Sequence, residues 1–210
     1  MSFIDEGIYF EASNLANELA KEVARAYNIP IYCVNCRYIR KYVEEFEGIS
    51  FLEVSFGKHL DQMLLGAISK VFGEIIISIN KTVMYERKLF TSMHEVGHFY
   101  FDLEDLNAGN QLTDMISENG YLPKDFAREY RANVTASVLM ANDEALKFAI
   151  RNFKTIKEVA NYFFMSKAAL RIRLREYLIY HLECSPNYAF RLVNDYVYSS
   201  GQLFKAVFYK

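Results

Sequence analysis

Ile49-Ser-Phe-Leu-Glu-Val-Ser-Phe56, Met63-Leu-Leu-Gly-Ala-Ile-Ser-Lys-Val71 and Glu74-Ile-Ile-Ile-Ser-Ile79 are rich in β-branched and aromatic residues, with Gly57, Gly66 and Gly73 between or within them. Runs of this kind punctuated by glycine read as short strands. The block spans about thirty residues, and it predicts one small antiparallel sheet. Upstream the period changes. Ala12, Leu15, Ala16, Leu19, Val23 and Tyr27 recur at helical spacing, so a helix should run to about Asn28 and end at Asn28-Ile29-Pro30. A second helix is expected over Arg37 to Phe46, closed by Gly48. Downstream of Asn80 the helical period returns and largely persists to the C-terminus. The fold class is therefore α+β: mainly helical, with a small central antiparallel sheet packed on the helix that follows it.

Composition narrows the function classes. The chain has 210 residues, 52% hydrophobic and 24% charged, enough for one ordinary domain or a core with a small appendage. A formal charge of −2 argues against a globally basic nucleic-acid binder. Its greasiest region, Met63 to Ile79, is interrupted by Lys70, Gly73 and Glu74, so no membrane span is expected. Met1 to Phe10 carries Asp5 and Glu6 and no basic residue, unlike a secretory signal. Three cysteines are too few for a disulfide scaffold. Cys33-Val-Asn-Cys36 lacks a second pair and reads as free thiols. These features point to a reducing, cytoplasmic compartment.

Histidine is scarce, four in all, yet two of the four lie in His94-Glu95-Val96-Gly97-His98. On a helix, residues four apart share a face with Cβ atoms about 5–6 Å apart. Two imidazoles can then bind one Zn²⁺, while Glu95, one position round, can reach a water rather than the metal. Gly97, a poor helix former, suggests close approach by another backbone, and the sheet is the expected neighbour.

A third protein ligand is needed, with a fourth position open to water. Glu104, six residues after His98, is one place for it. A second helix bringing a carboxylate is the other, and Glu129-Tyr-Arg-Ala-Asn-Val-Thr-Ala-Ser-Val-Leu-Met140 has the right character. Glu129 and Asn133 are four apart on one face, and Ala132, Ala136 and Ala141 keep the helix slim. From there Glu129 could bind the metal, and Asn133 could hydrogen-bond the free ring nitrogen of a ligand histidine.

With these residues in view, the sequence resembles the ImmA/IrrE family of metallopeptidases. The resemblance rests on Ile79-Asn80, Arg87 and Phe90-Thr91 before the His94–His98 motif, and then on Glu129-x-x-Ala132-Asn133 with Ala136-Ser-Val-Leu-Met140. It covers about Leu15 to Tyr177. Thr135 and Ala141 depart from the usual phenylalanine and proline of the family's second motif. The resemblance implies that His94, His98 and Glu129 are zinc ligands and Glu95 the general base. It also implies an intracellular endopeptidase whose protein substrate is a transcriptional repressor of a mobile element or stress response. Residues 1–150 then form the zinc metallopeptidase core.

Residues 151–210 read as a C-terminal helical region. Charge is uneven along the chain: Asp102 to Glu129 holds seven acidic residues against Lys124 and Arg128, and Arg151 to Tyr180 holds seven basic ones against Glu158 and Glu176. Thr155 to Phe163 followed by Lys167 to Tyr177 looks like a helix-turn-helix, with Lys167, Arg171, Arg173 and Arg175 on its second helix. The alternative reading is therefore a DNA-binding or partner-binding regulator with a degenerate protease site. Packing of these residues, or docking of an acidic partner, competes with contact to nucleic acid.

Overall fold

The computed structural model describes residues 6–107, 112–115 and 125–209. The first helix, α1 (Glu6–Ala26), buries Tyr9, Ala12, Ser13, Ala16, Leu19, Ala20 and Val23, the stripe that three- and four-residue spacing produces. It stops where Asn28 takes a left-handed conformation (φ 50°) and the Ile29 amide reaches back to the Ala24 carbonyl at 3.0 Å. In α2 (Cys36–Phe46) the Asn35 side chain accepts from the Arg37 amide, a standard N-terminal cap. The chain leaves α2 through Gly48 (φ 69°).

Four strands follow, β1 (Ile49–Val54), β2 (Leu64–Val71), β3 (Glu74–Asn80) and, well beyond the block, β4 (Leu112–Met115). Their order is β1-β3-β2-β4. The β2–β3 pair is an antiparallel hairpin. Its two turn residues, Phe72 (φ 50°) and Gly73 (φ 90°), both have the positive φ that a tight two-residue hairpin favours. The expectation of a purely antiparallel sheet is corrected here. β3 inserts between β1 and β2, so β1 runs parallel to β3, from Ile49↔Ile75 to Val54↔Asn80. Buried Asn80 helps hold that arrangement: its Nδ2 donates to the Asp61 and Leu64 carbonyls at 2.9 and 2.8 Å, pinning the β1–β2 connection across the end of β3.

The sheet turns Ile49, Ile68, Ile75, Ile77 and Ile79 into the core. Across one face lies α3 (Tyr85–Phe101), which contributes Met93 and Val96. After the short α4 (Leu103–Asn107), α5 (Phe126–Met140) packs against both α3 and α1. The remaining helices are α6 (Asp143–Asn152), α7 (Ile156–Tyr162), α8 (Lys167–Tyr180), α9 (Pro186–Tyr198) and α10 (Gln202–Phe208). A reciprocal Thr155–Glu158 capping box starts α7, and Ser166 and Ser185 cap α8 and α9. One buried apolar cluster runs from Tyr9 to Phe208 and includes both Ile150 and Ile156. Among the described residues no helix is long and apolar enough to cross a membrane.

Candidate metal centre

The centre of α3 is enclosed on every side: Thr91 to His98 are all buried. Two glycines make this possible. A Cβ on Gly97 would lie 3.2 Å from the Ala132 Cα and 3.2 Å from the Thr135 Cβ, so it is α5, not the sheet, that approaches Gly97. The sheet approaches through Gly66 on β2 instead. A Cβ there would lie 2.4 Å from the Thr91 methyl and 3.1 Å from Glu95 Oε1.

Close packing of α3 on α5 brings His94, His98 and Glu129 together, one ligand atom from each lying within 4.8 Å of the others. Both imidazoles are fully buried, and Glu129 is 5% exposed. The two Nε2 atoms are 3.0 Å apart. Glu129 Oε2 lies 3.4 Å from His94 Nε2, and Oε1 lies 3.7 Å from His98 Nε2. Asn133, one turn along α5 from Glu129, presents Oδ1 to His94 Nδ1 at 3.1 Å. Asp102, just past the end of α3, presents Oδ2 to His98 Nδ1 at 2.7 Å. Each Nδ1 faces an oxygen, and with the ring proton on that nitrogen both Nε2 atoms are left bare. In neutral imidazoles both Nε2 lone pairs then point toward each other and toward a carboxylate. Three electron-pair donors with no donor hydrogen between them fit a metal ion, and two histidines with one carboxylate leave a coordination position open.

The electrostatics agree with a cation-seeking site. Burial works against charge on Glu129, but hydrogen bonding and charge from His94 and His98 prevail and bring its carboxyl down to about 2. Burial likewise opposes charge on His98, yet its contacts with Asp102 and Glu129 hold its proton affinity above the ordinary imidazole value. Glu95 is the reverse case. Burial, the largest influence, pushes its carboxyl well above the usual range; His94 opposes this, and Asp114 and Glu129 add to it. Among the described residues, neither Glu95 oxygen has a hydrogen-bond partner. It also sits within a second close group, His94, Glu95 and Asp114.

Asp114 and Asp102 escaped the sequence reading. Asp114 lies on β4, whose four residues carry too little periodicity to announce a strand. It is buried, and its Oδ2 accepts from Arg87 at 3.3 Å and Thr91 at 3.2 Å. Asp102 was legible, for it follows His98 by the same four residues that separate the two histidines.

Other candidates are placed elsewhere. Glu104 is exposed on α4, while Glu129 holds the third position beside the histidines. The Tyr130 hydroxyl lies 3.5 Å from that of Tyr180. His181 stacks on Tyr177 and faces Asp143. Cys36 is buried, its thiol pushed up to about 12 by burial, and Cys33 and Cys184 are free and half-buried.

The basic residues of α8 do not form one outward stripe. Lys167 is exposed. Arg171 donates to Tyr198 Oη at 3.1 Å and Asn194 Oδ1 at 2.9 Å, and the Arg175 guanidinium lies 5.8 Å from the Phe190 ring centroid. Arg173 is a correction: it is 0% exposed, pairs with Asp143 and donates to the Ala141 carbonyl at the end of α5, so it offers nothing to a phosphate. Its apolar neighbours fix that direction, since Leu170, Leu174, Tyr177 and Leu178 share the inward face of α8. Ile172 is instead the exposed side chain between Arg171 and Arg173.

A family model described as Peptidase_M78, IrrE N-terminal-like domain, matches residues 49–175, from β1 into α8. No curated protein matches the chain.

Proposed function

The chain belongs to the Peptidase_M78 family of IrrE N-terminal-like metallopeptidases, and from that membership we propose that it is a zinc-dependent endopeptidase acting on a specific protein inside the cell. The proposed substrate class is a transcriptional repressor of a mobile element or stress response. The observation that carries the proteolytic reading is the buried convergence of His94 Nε2, His98 Nε2 and the Glu129 carboxylate, with an unpartnered Glu95 beside it.

His94, His98 and Glu129 are the proposed ligands. A zinc ion held there would supply Lewis acidity for the scissile carbonyl and the attacking water. Glu95 receives the proton of the attacking water and delivers it to the leaving amine. Burial raises the proton affinity of that carboxyl, which favours its taking the proton. Asn133 and Asp102 keep the two imidazoles turned so that their Nε2 atoms face the metal position.

The test uses the zinc-loaded full chain and a defined peptide library, with new termini read by mass spectrometry. Glu95→Gln should retain one zinc per chain and lose cleavage by about 10²–10⁴-fold. His94→Ala should lose both zinc and cleavage. Undiminished cleavage by Glu95→Gln would overturn the mechanism.

A further inference from the structure

We propose that Asp102 and Arg131 form a positioning pair that locks His98 in the Nδ1–H tautomer and so sets the affinity of the site for its metal. The proposal rests on the zinc reading for its affinity arm only; the tautomer itself is a property of the metal-free chain.

Asp102 caps the C-terminal end of α3, its amide bonded to the His98 carbonyl at 2.8 Å. A carboxylate is unfavourable there, because the exposed carbonyls give a helix C-terminus partial negative charge. Capping the helix therefore does not account for an aspartate at this place. What the carboxylate does is turn back on the ring of His98, with Oδ2 at 2.7 Å from Nδ1.

Arg131 offsets the unfavourable charge. From α5, two residues past Glu129, its Nη2 donates to Asp102 Oδ1 at 2.9 Å. Its guanidinium lies over the Phe101 ring at 4.5 Å, and its Nη1 is 3.6 Å from Glu11 Oε2 on α1. The cation is thus steered from two elements, the C-terminal end of α3 and α1, and both Asp102 oxygens are committed.

The two histidines are held by different chemistry. His94 faces an amide, which carries both donors and an acceptor and can turn to suit either tautomer. His98 faces an ionised carboxylate, which only accepts. A charged acceptor also makes the ring a stronger electron-pair donor at its far nitrogen. Asp102 is therefore the residue that removes the tautomer choice, and Arg131 keeps its carboxylate aimed.

The experiment follows ring ¹⁵N resonances of the metal-free full chain at alkaline pH, together with zinc affinity by competition against a chromophoric chelator. In the wild type, His98 should show one protonated and one bare nitrogen, assigned by loss of its signals in His98→Gln. In Asp102→Asn these signals should move toward tautomer-averaged positions, and zinc should bind about 10–100-fold more weakly. Arg131→Met should shift both readouts in the same direction by less, and Arg131→Lys should recover part of each. A merely structural role would lower the melting temperature without moving the nitrogen shifts. Should Asp102→Asn not fold, the wild-type shifts and the two Arg131 variants decide. A wild-type His98 protonated at Nε2, or Arg131→Met with unchanged shifts and affinity, overturns the proposal. Absence of tight zinc binding in the wild type would instead count against the zinc reading, with the nitrogen shifts still reporting on Asp102.

Discussion

Gly66 and Gly97 show how little room the site leaves at the scale of single residues. Gly66→Ala would drive a methyl group into the Thr91 methyl and against Glu95 Oε1. We predict retained zinc, a kcat at least tenfold lower on a cleaved peptide, and a stability cost of about 1–3 kcal/mol by chemical denaturation. Gly97→Ala gains about 1 kcal/mol of helix propensity. It should nonetheless be destabilising, because the new Cβ meets backbone of α5 at 3.2 Å. An unchanged or raised denaturation midpoint would contradict that close approach. At this scale the sequence was most informative. His94 and His98 share one helical face by spacing alone, with Glu95 one position round, and the Glu129/Asn133 pair repeats the same four-residue step. What spacing left open was which backbone Gly97 admits. A lone glycine signals that something comes near, and only the packing of α5 says what.

Element pairing was less legible than element existence. The three runs that open the sheet became strands close to their expected bounds, since β-branched runs broken by glycine specify strands locally. Their parallel β1–β3 pairing depends on where the β1–β2 connection crosses, and no residue pattern within a strand encodes that. The α8 arginines teach the same lesson about helices. Alternating Arg171, Arg173 and Arg175 spreads positive charge round the helix, so at least one cation had to face the core. Buried Arg173 holds Asp143, whose carboxyl lies below its ordinary value of 3.8 because the attraction of Arg173 and His181 outweighs burial. A depressed carboxylate contributes stability that is fully present above the unfolded pKa and lost as pH falls through the folded one. Arg173→Met should therefore cost about 3–5 kcal/mol at neutral pH, by taking from half-buried Asp143 its guanidinium partner. Its deficit should shrink below about pH 4, where Asp143 is protonated in both the unfolded chain and the variant. A deficit independent of pH would show that Arg173 acts by packing alone.

Taken whole, the molecule resolves the uneven charge seen along its sequence. Of the acidic middle, Asp102 faces Arg131, Asp114 faces Arg87, and Asp105 and Asp125 face Arg128. Apart from the local Asp125–Arg128 pair, these are long-range, which a running charge count cannot reveal. The buried cluster crosses residue 150 without a break, and Arg173 of α8 bonds the end of the helix that carries Glu129. Removing residues 151–210 should consequently abolish the cooperative thermal transition by circular dichroism; a truncated chain that melts cooperatively near the full-length midpoint would establish an independent core. The claim on which the functional account turns is that α3 and α5 together hold one metal. Anomalous diffraction from zinc-loaded crystals at the zinc edge tests it most directly. A single peak is expected about 2.0–2.2 Å from His94 Nε2, His98 Nε2 and a Glu129 carboxylate oxygen. A peak at His94, Glu95 and Asp114, or at Cys33 and Cys36, would contradict it.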